Sequence, residues 1–295
     1  MSKAILLDID GTLLNSKKEL TPRTKDALLK AQAQGCRLVL ASGRPVNGLA
    51  GLAKDLKMDE YGGLLVAFNG GMVLDAKTGE VLFERAMRVE ESQAVLEHMK
   101  KFDVVVLVDH GEYMFTNDVF KTIERDGKPF NVVEYEARSN RYRLCEIKDL
   151  VAFVDFPTHK ILVAGTPSYL RAHAQEMAKP FDGVLNSMFT ADFYYEFTAQ
   201  GIDKAEALRQ SLDKAGFAPK EAIAFGDAQN DASMLAWAGT GVAMGNAVPS
   251  LKAAADFVTA SNDEDGIARY LEARVLKAGG SKIVEKPTNP AMMEA

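Results

Sequence analysis

A four-residue apolar run, Ala4-Ile5-Leu6-Leu7, ends in Asp8-Ile9-Asp10-Gly11-Thr12-Leu13. The run is too short for a typical helix and suits a buried strand, with Gly11 marking the turn that stops it. Side chains alternate along a strand, so Asp8 and Asp10 leave its end on the same side. Two like charges held there repel each other unless a cation or a shared proton relieves them. Taken alone, Asp-x-Asp also reads as an ordinary strand end with solvated acids. The Gly-Thr-Leu that follows and the matching segments downstream favour the first reading.

At 295 residues the chain has the length of about two domains, and 47% hydrophobic residues is ordinary for a globular protein. A formal net charge of −6 argues against a nucleic-acid footprint or an anionic membrane surface. Cys36 and Cys145 are the only cysteines, and neither has a zinc-type or Cys-x-x-Cys neighbour. No apolar stretch reaches the roughly 18 residues of a membrane span. A soluble cytoplasmic protein with reduced thiols is expected, monomeric or a small homo-oligomer.

Strand-like and helix-like segments alternate at both ends of the chain. Thr21-Pro22 opens a helix that Gly35 stops, a strand covers 36–41, and a third apolar strand covers 63–68 before Asn69-Gly70. A hairpin is expected over 72–84. The texture changes from about 85 to 192, where helices at 90–101 and 168–179 alternate with strands at 104–108, 161–164 and 184–188. After 192 the alternation returns, with a capping-box spacing at Asp203 and Glu206, a strand at 222–225, helices over 230–238 and 263–276, and a strand at 241–244. The expected fold is α/β: a doubly wound, Rossmann-like parallel sheet with an inserted α/β domain. Residues 1–84 and 193–277 would form the core domain, 85–192 the insertion, and 278–295 a tail.

Open α/β sheets bind ligands at their strand ends, and the polar residues gather there. Ser42-Gly43-Arg44 follows a strand and precedes a helix, where a hydroxyl beside backbone N–H groups can hold a phosphate oxygen. An N-cap serine fits the same position. Lys204 stands at a helix start, an unfavourable end for a cation unless it faces a bound anion; a solvated lysine is the alternative. Gly226-Asp227 closes another apolar strand, and Asp231 follows one helical turn later. Oxygen ligands of this kind suit magnesium and not zinc. The four histidines show no paired zinc spacing.

In that order, Asp8-x-Asp10-Gly-Thr, Ser42-Gly-Arg, Lys204 and Gly226-Asp227-x-x-Asn230-Asp231 resemble the haloacid dehalogenase-like hydrolases, specifically the Cof-type class IIB sugar phosphatases. Asn69-Gly70 and Gly241-Val-Ala-Met-Gly-Asn246-Ala are similar too, and the resemblance runs from Lys3 to Leu276. It departs at Ala205, where that class has glycine. The resemblance implies a Mg2+-dependent phosphatase in which Asp8 is the nucleophile and Asp10 the general acid and base. Asp8, the Asp10 carbonyl and Asp227 would hold magnesium. Ser42, Gly43, Lys204 and Asn230 would hold the phosphate, with Asp231 behind them.

Two other classes share these ingredients. A phosphoaspartate receiver uses paired acids, a hydroxyl and a lysine, but lacks an insertion of this length. A phosphomutase differs only in its acceptor. The substrate expected is a small phosphorylated metabolite such as a sugar phosphate. The insertion, which the resemblance makes a cap, offers His110, Tyr113, Asn117, Arg141, Arg143, His159 and Lys160 as polar contacts. Arg143 and His159, with Asn69 from the core, are the favoured substrate residues.

Overall fold

The computed structural model describes residues 4–211 and 216–276; the tail expected over 278–295 lies outside them. They form two compact units, one of residues 4–40, 54–64 and 216–276, the other of 41–53 and 65–211.

The first unit is built on parallel strands in the order Phe257–Val258, Thr240–Ala243, Ala222–Gly226, Ala4–Leu7 and Arg37–Ala41. Every residue of Ala4–Leu7 and Ala222–Gly226 is buried. Such continuous apolar runs are what a parallel sheet covered on both faces demands. The register sets Leu7 beside Phe225 and Leu40, so the polar residues after these strands emerge at one sheet edge. The Pro22–Ala33 helix begins as expected, with Thr21 Oγ1 accepting from the Thr24 amide at 3.2 Å and Pro22 in the first turn. It buries Ala27, Leu28 and Ala31 and packs against the Gly266–Arg274 helix. A forked Arg23–Glu272 pair at 3.1 and 2.7 Å spans the two helices.

That closing helix starts later than the sequence suggests. Asp265 is left-handed, at φ 58°, and separates a short 3-10 turn, Asn262–Glu264, from the helix proper. The acids expected to begin the helix are otherwise engaged. Asp263 accepts the Ser16 amide at 2.8 Å, and Glu264 accepts from the Ser261 amide and hydroxyl at 3.2 and 2.7 Å. Likewise the helix expected over 230–238 is a 3-10 turn at Gln229–Asp231 followed by Ala232–Trp237.

The second unit carries the Leu64–Ala67 strand from Leu65 onward and the hairpin of Met72–Asp75 with Val81–Glu84. Asp75 Oδ1 accepts the amides of Lys77 and Thr78, which closes the hairpin turn. Its large sheet has six strands, ordered Arg143–Glu146, Tyr113–Thr116, Val105–His110, Lys160–Ala164, Tyr194–Ala199 and Leu185–Ala191. All pairs are antiparallel except the first. One face packs with apolar residues of the Val89–Met99, Leu150–Phe153 and Pro167–Ala178 helices. The other packs with Val132, Val133 and Ala137 of the Val132–Asn140 helix. At one end of this unit, the Val46–Asp55 helix presents Gly48 to the Asn140 carboxamide and Gly51 to the Arg141 guanidinium. A Cβ on either glycine would come within 2.5 and 2.9 Å of those groups. Asn47 Nδ2 donates to the Gly111 carbonyl at 2.7 Å beside them.

The second sheet buries charge as well as apolar surface. Lys160, 7% exposed, lies 3.7 Å from Glu196 and 4.0 Å from Glu136. Asn140 Nδ2 and the Tyr194 hydroxyl donate to Glu136 at 2.9 and 3.1 Å. Burial pushes the Glu196 carboxyl up despite the ammonium beside it. Burial alone would lower Lys160, but Glu196, Glu136 and Asp109 together hold its ammonium above the ordinary value. Lys160→Met should therefore destabilise the fold by about 3 to 5 kcal/mol, because it strands buried carboxylates. A carboxyl raised on folding favours the folded state less as pH rises from its unfolded value of about 4. The deficit should thus be larger at pH 7 than at pH 5, measured by denaturant unfolding at both; a deficit independent of pH would mean packing, not charge, is lost.

Candidate active site

Asp8 is the residue after the Ala4–Leu7 strand, 7% exposed, with its amide donating to the Phe225 carbonyl at 3.1 Å. The backbone then doubles back: Leu13 N donates to the Asp8 carbonyl at 3.2 Å and Leu14 N to the Ile9 carbonyl at 2.9 Å. Gly11 makes this possible with φ 85°, and a Cβ there would overlap the Asp227 carboxylate. Thr12 Oγ1 donates to Asp227 Oδ1 at 2.7 Å and fixes that carboxylate's orientation. Asn246 Nδ2 donates to the Gly11 carbonyl at 2.8 Å, while its Oδ1 accepts the Asn262 amide at 3.0 Å.

Asp231, fully buried, turns its Oδ2 back to accept the amides of Asp227 and Ala228, both at 3.0 Å. This loop closure explains why a tight 3-10 turn replaces the expected helix start. Asp8, Asp227 and Asp231 each offer an oxygen within 4.8 Å of the others. Three carboxylates so close, two of them nine-tenths buried, are a donor set for a hard divalent cation. Asp10 stands apart: its side chain is 38% exposed and paired with Lys18 at 2.7 Å. No local spacing points to Lys18, which sits at φ 63° in the turn that Asn15 Oδ1 organises by accepting the amides of Lys17 and Glu19.

Of the predicted phosphate-holding residues, Ser42, Gly43 and Lys204 belong to the second unit and Asn230 to the first. Ser42 is 4% exposed; its amide donates to the Val66 carbonyl at 2.9 Å and its Oγ accepts the Arg44 amide at 3.2 Å. The hydroxyl thus caps its own turn, and the Val46–Asp55 helix begins only four residues later. Gly43 lies against the Asn69 carboxamide, 2.9 Å from where its Cβ would be. Phe68 and Asn69 are both left-handed, at φ 54° and 56°, which costs about 1 to 3 kcal/mol for each non-glycine residue. Gly70 packs on the Asp203–Lys204 backbone.

Lys204 is 1% exposed at the first position of its helix, which removes the solvated reading. Asp203 caps that helix by accepting the amides of Ala205 and Glu206 at 2.9 and 3.0 Å. Glu206 does not complete the box; it accepts from Arg209 and Gln210 instead. Ala205 is fully buried. Asn230 is exposed. Arg143 is also exposed, 3.8 Å from Glu112, and His159 stacks on Phe68.

Residues 5–271 match the family of haloacid dehalogenase-like hydrolases, to which the chain belongs. The Bacillus subtilis (strain 168) phosphatase-family protein YxeH is 31% identical over 276 residues, covering 94% of this chain and 99% of its own. A haloacid dehalogenase-like hydrolase from Bacteroides thetaiotaomicron has 36% identity and a TM-score of 0.85, over 92% of this chain and 99% of that one. The subclass IIB sugar phosphatase BT4131 follows the same fold, with 25% identity, a TM-score of 0.72 and coverage of 92% and 98%. The chain is a phosphatase of this family. Among the described residues no helix is long and apolar enough to cross a membrane.

Thr12 follows the paired acids and Gly11, and sequence reasoning assigns it no role; its hydroxyl orients Asp227. If Asp227 holds a metal, Thr12→Ala should lower phosphate release by about 10- to 100-fold, since it removes the group that orients that carboxylate. Thr12→Ser, which keeps the hydroxyl, should retain most activity. Steady-state kcat/KM for the two variants checks this, and equal losses in both would assign the effect to packing of the threonine methyl.

Proposed function

We propose that the chain hydrolyses the phosphomonoester of a small metabolite, a sugar phosphate, through an aspartyl-phosphate on Asp8. The observation that carries this reading is the buried Asp8 carboxylate within 4.8 Å of Asp227 and Asp231. An Asp8 oxygen attacks phosphorus, and the bond to the leaving alkoxide breaks. Asp10 gives that alkoxide its proton, then takes a proton from the water that attacks the same phosphorus. Inorganic phosphate leaves and Asp8 is restored.

Magnesium, held by Asp8, the Asp10 carbonyl and Asp227, would neutralise the charge that otherwise sets a carboxylate nucleophile against a phosphate dianion. The oxygen-only donor set supports that choice of metal. Ser42, Gly43, Lys204 and Asn230 hold the phosphoryl oxygens, and Asp231 keeps the Asp227–Ala228 turn in place. The burial of Lys204 at the first position of its helix is compatible with its part. Residues 85–192, as an inserted cap, select the leaving group, with Asn69 and Arg143 among the contacts; the name of BT4131 supports the sugar class. Two cysteines outside any disulfide fit a cytoplasmic protein, monomeric or a small homo-oligomer.

Activity should vanish in excess chelator and return with magnesium; full turnover in chelator would sink the metal assignment. Asp8→Asn should form no covalent phosphoenzyme. Asp10→Asn keeps the backbone carbonyl but loses the proton donor, so it should cost about 10² to 10⁴ on a sugar phosphate, whose alkoxide leaves poorly. With p-nitrophenyl phosphate the first step should be largely spared and breakdown should become slow. Burst-phase kinetics on both substrates separates these steps, and an equal loss of the first step on each would remove Asp10 from acid catalysis.

A further inference from the structure

The Phe68-Asn69-Gly70 turn is where the second unit's predicted phosphate-holding segments meet. Phe68 N donates to the Arg44 carbonyl at 3.0 Å and Asn69 N to the Ser42 carbonyl at 2.8 Å. The Asn69 carboxamide packs on Gly43, and Gly70 packs on the backbone of Asp203 and Lys204. Ser42 and Lys204 are therefore placed from one turn. That turn is strained, with two consecutive non-glycine residues left-handed, and the bulky Phe68 is the less tolerant of the two.

Strain of this kind persists only where surrounding contacts over-determine it. The Phe68 ring, 5% exposed, lies flat on the imidazole of His159, with centroids 4.5 Å apart and planes 10° from parallel. The backbone around His159 is tied down. The His159 Nε2 approaches Glu84 Oε1 at 3.1 Å, at the end of the hairpin, but without the geometry of a hydrogen bond. Thr158, the residue before it, exchanges backbone hydrogen bonds with Met87 at 2.8 and 3.3 Å. The Thr158 and Ser92 hydroxyls are 2.8 Å apart, and Lys160 on the other side is buried among carboxylates.

We propose that His159 is a positioning residue for phosphate binding, acting through the Phe68 ring to hold the turn that places Ser42 and Lys204. This rests on the reading that those two residues hold the phosphoryl group. It separates His159 from a leaving-group contact, because positioning acts on every ester alike whereas a leaving-group contact discriminates among them.

The test is inhibition by inorganic phosphate, whose constant does not depend on how much of the enzyme is active. An aromatic pair contributes about 0.5 to 1.5 kcal/mol beyond its buried area, so His159→Ala should weaken phosphate inhibition about 2- to 12-fold. It should lower kcat/KM by the same factor on p-nitrophenyl phosphate and on a hexose phosphate. His159→Phe keeps a planar ring and should stay within about twofold of the parent. Phe68→Leu should mimic His159→Ala, and the double variant should be no worse than either single one. If His159→Ala does not fold, the contrast between Phe68→Leu and His159→Phe carries the same information. A loss confined to the hexose phosphate, unchanged phosphate inhibition, or a His159→Phe variant as impaired as Phe68→Leu would overturn the proposal. Ser42→Ala is the control: if it leaves phosphate inhibition unchanged, the assignment of Ser42 fails and the positioning role falls with it.

Discussion

Repulsion among three carboxylates is the constraint around which the first unit is arranged. Asp8, Asp227 and Asp231 bring oxygens within 4.8 Å of one another. At an effective dielectric constant of about 20, each ionised pair at that separation costs about 3 kcal/mol. Hydrogen bonds to charged groups return about 1.5 to 3 kcal/mol each. The two amides on Asp231 and the Thr12 hydroxyl on Asp227 are thus comparable with the repulsion but do not abolish it. A bound divalent cation would. Local backbone choices serve the same cluster: Gly11 leaves room for the Asp227 carboxylate, and Gly226 leaves room for Asp231.

The parallel sheet follows from this arrangement as much as it supports it. Parallel strands end their runs at one edge, so acids from Ala4–Leu7 and Ala222–Gly226, far apart in sequence, arrive together. Their apolar interiors provide the rigidity that holds like charges close. Asn246 adds a long-range tie to the Gly11 carbonyl, across 235 residues.

Much of the candidate site was legible because its polar residues sit where local pattern is strongest. Strand ends and turn glycines pointed to Asp8, Asp227, Ser42 and Asn69 as candidates, and the first helix keeps its Thr21-Pro22 start. Lys204 was ambiguous for a physical reason: only tertiary structure tells whether a lysine at a helix start is buried or solvated. The Lys18–Asp10 pair and the Phe68–His159 stack left no trace, since partners brought together by folding carry no local spacing. Helix starts at 230 and 263 misled because Asp231, Asp263 and Glu264 accept loop amides instead of opening regular helices. The Tyr194–Ala199 strand, buried throughout yet alternating aromatic with polar residues, hid a charged inner face that only Lys160 explains.

The glycines of the Val46–Asp55 helix have a dynamic consequence. Glycine costs about 1 kcal/mol relative to alanine in a helix interior, and this ten-residue helix carries two where Asn140 and Arg141 press against it. A segment so short and so poor in intrinsic propensity keeps its helical form through tertiary contact. Its amide hydrogens therefore exchange at a rate set by how firmly the Asn140–Arg141 turn is seated. Protection from exchange along residues 46–55 becomes an internal gauge of that seating, readable without any substrate bound.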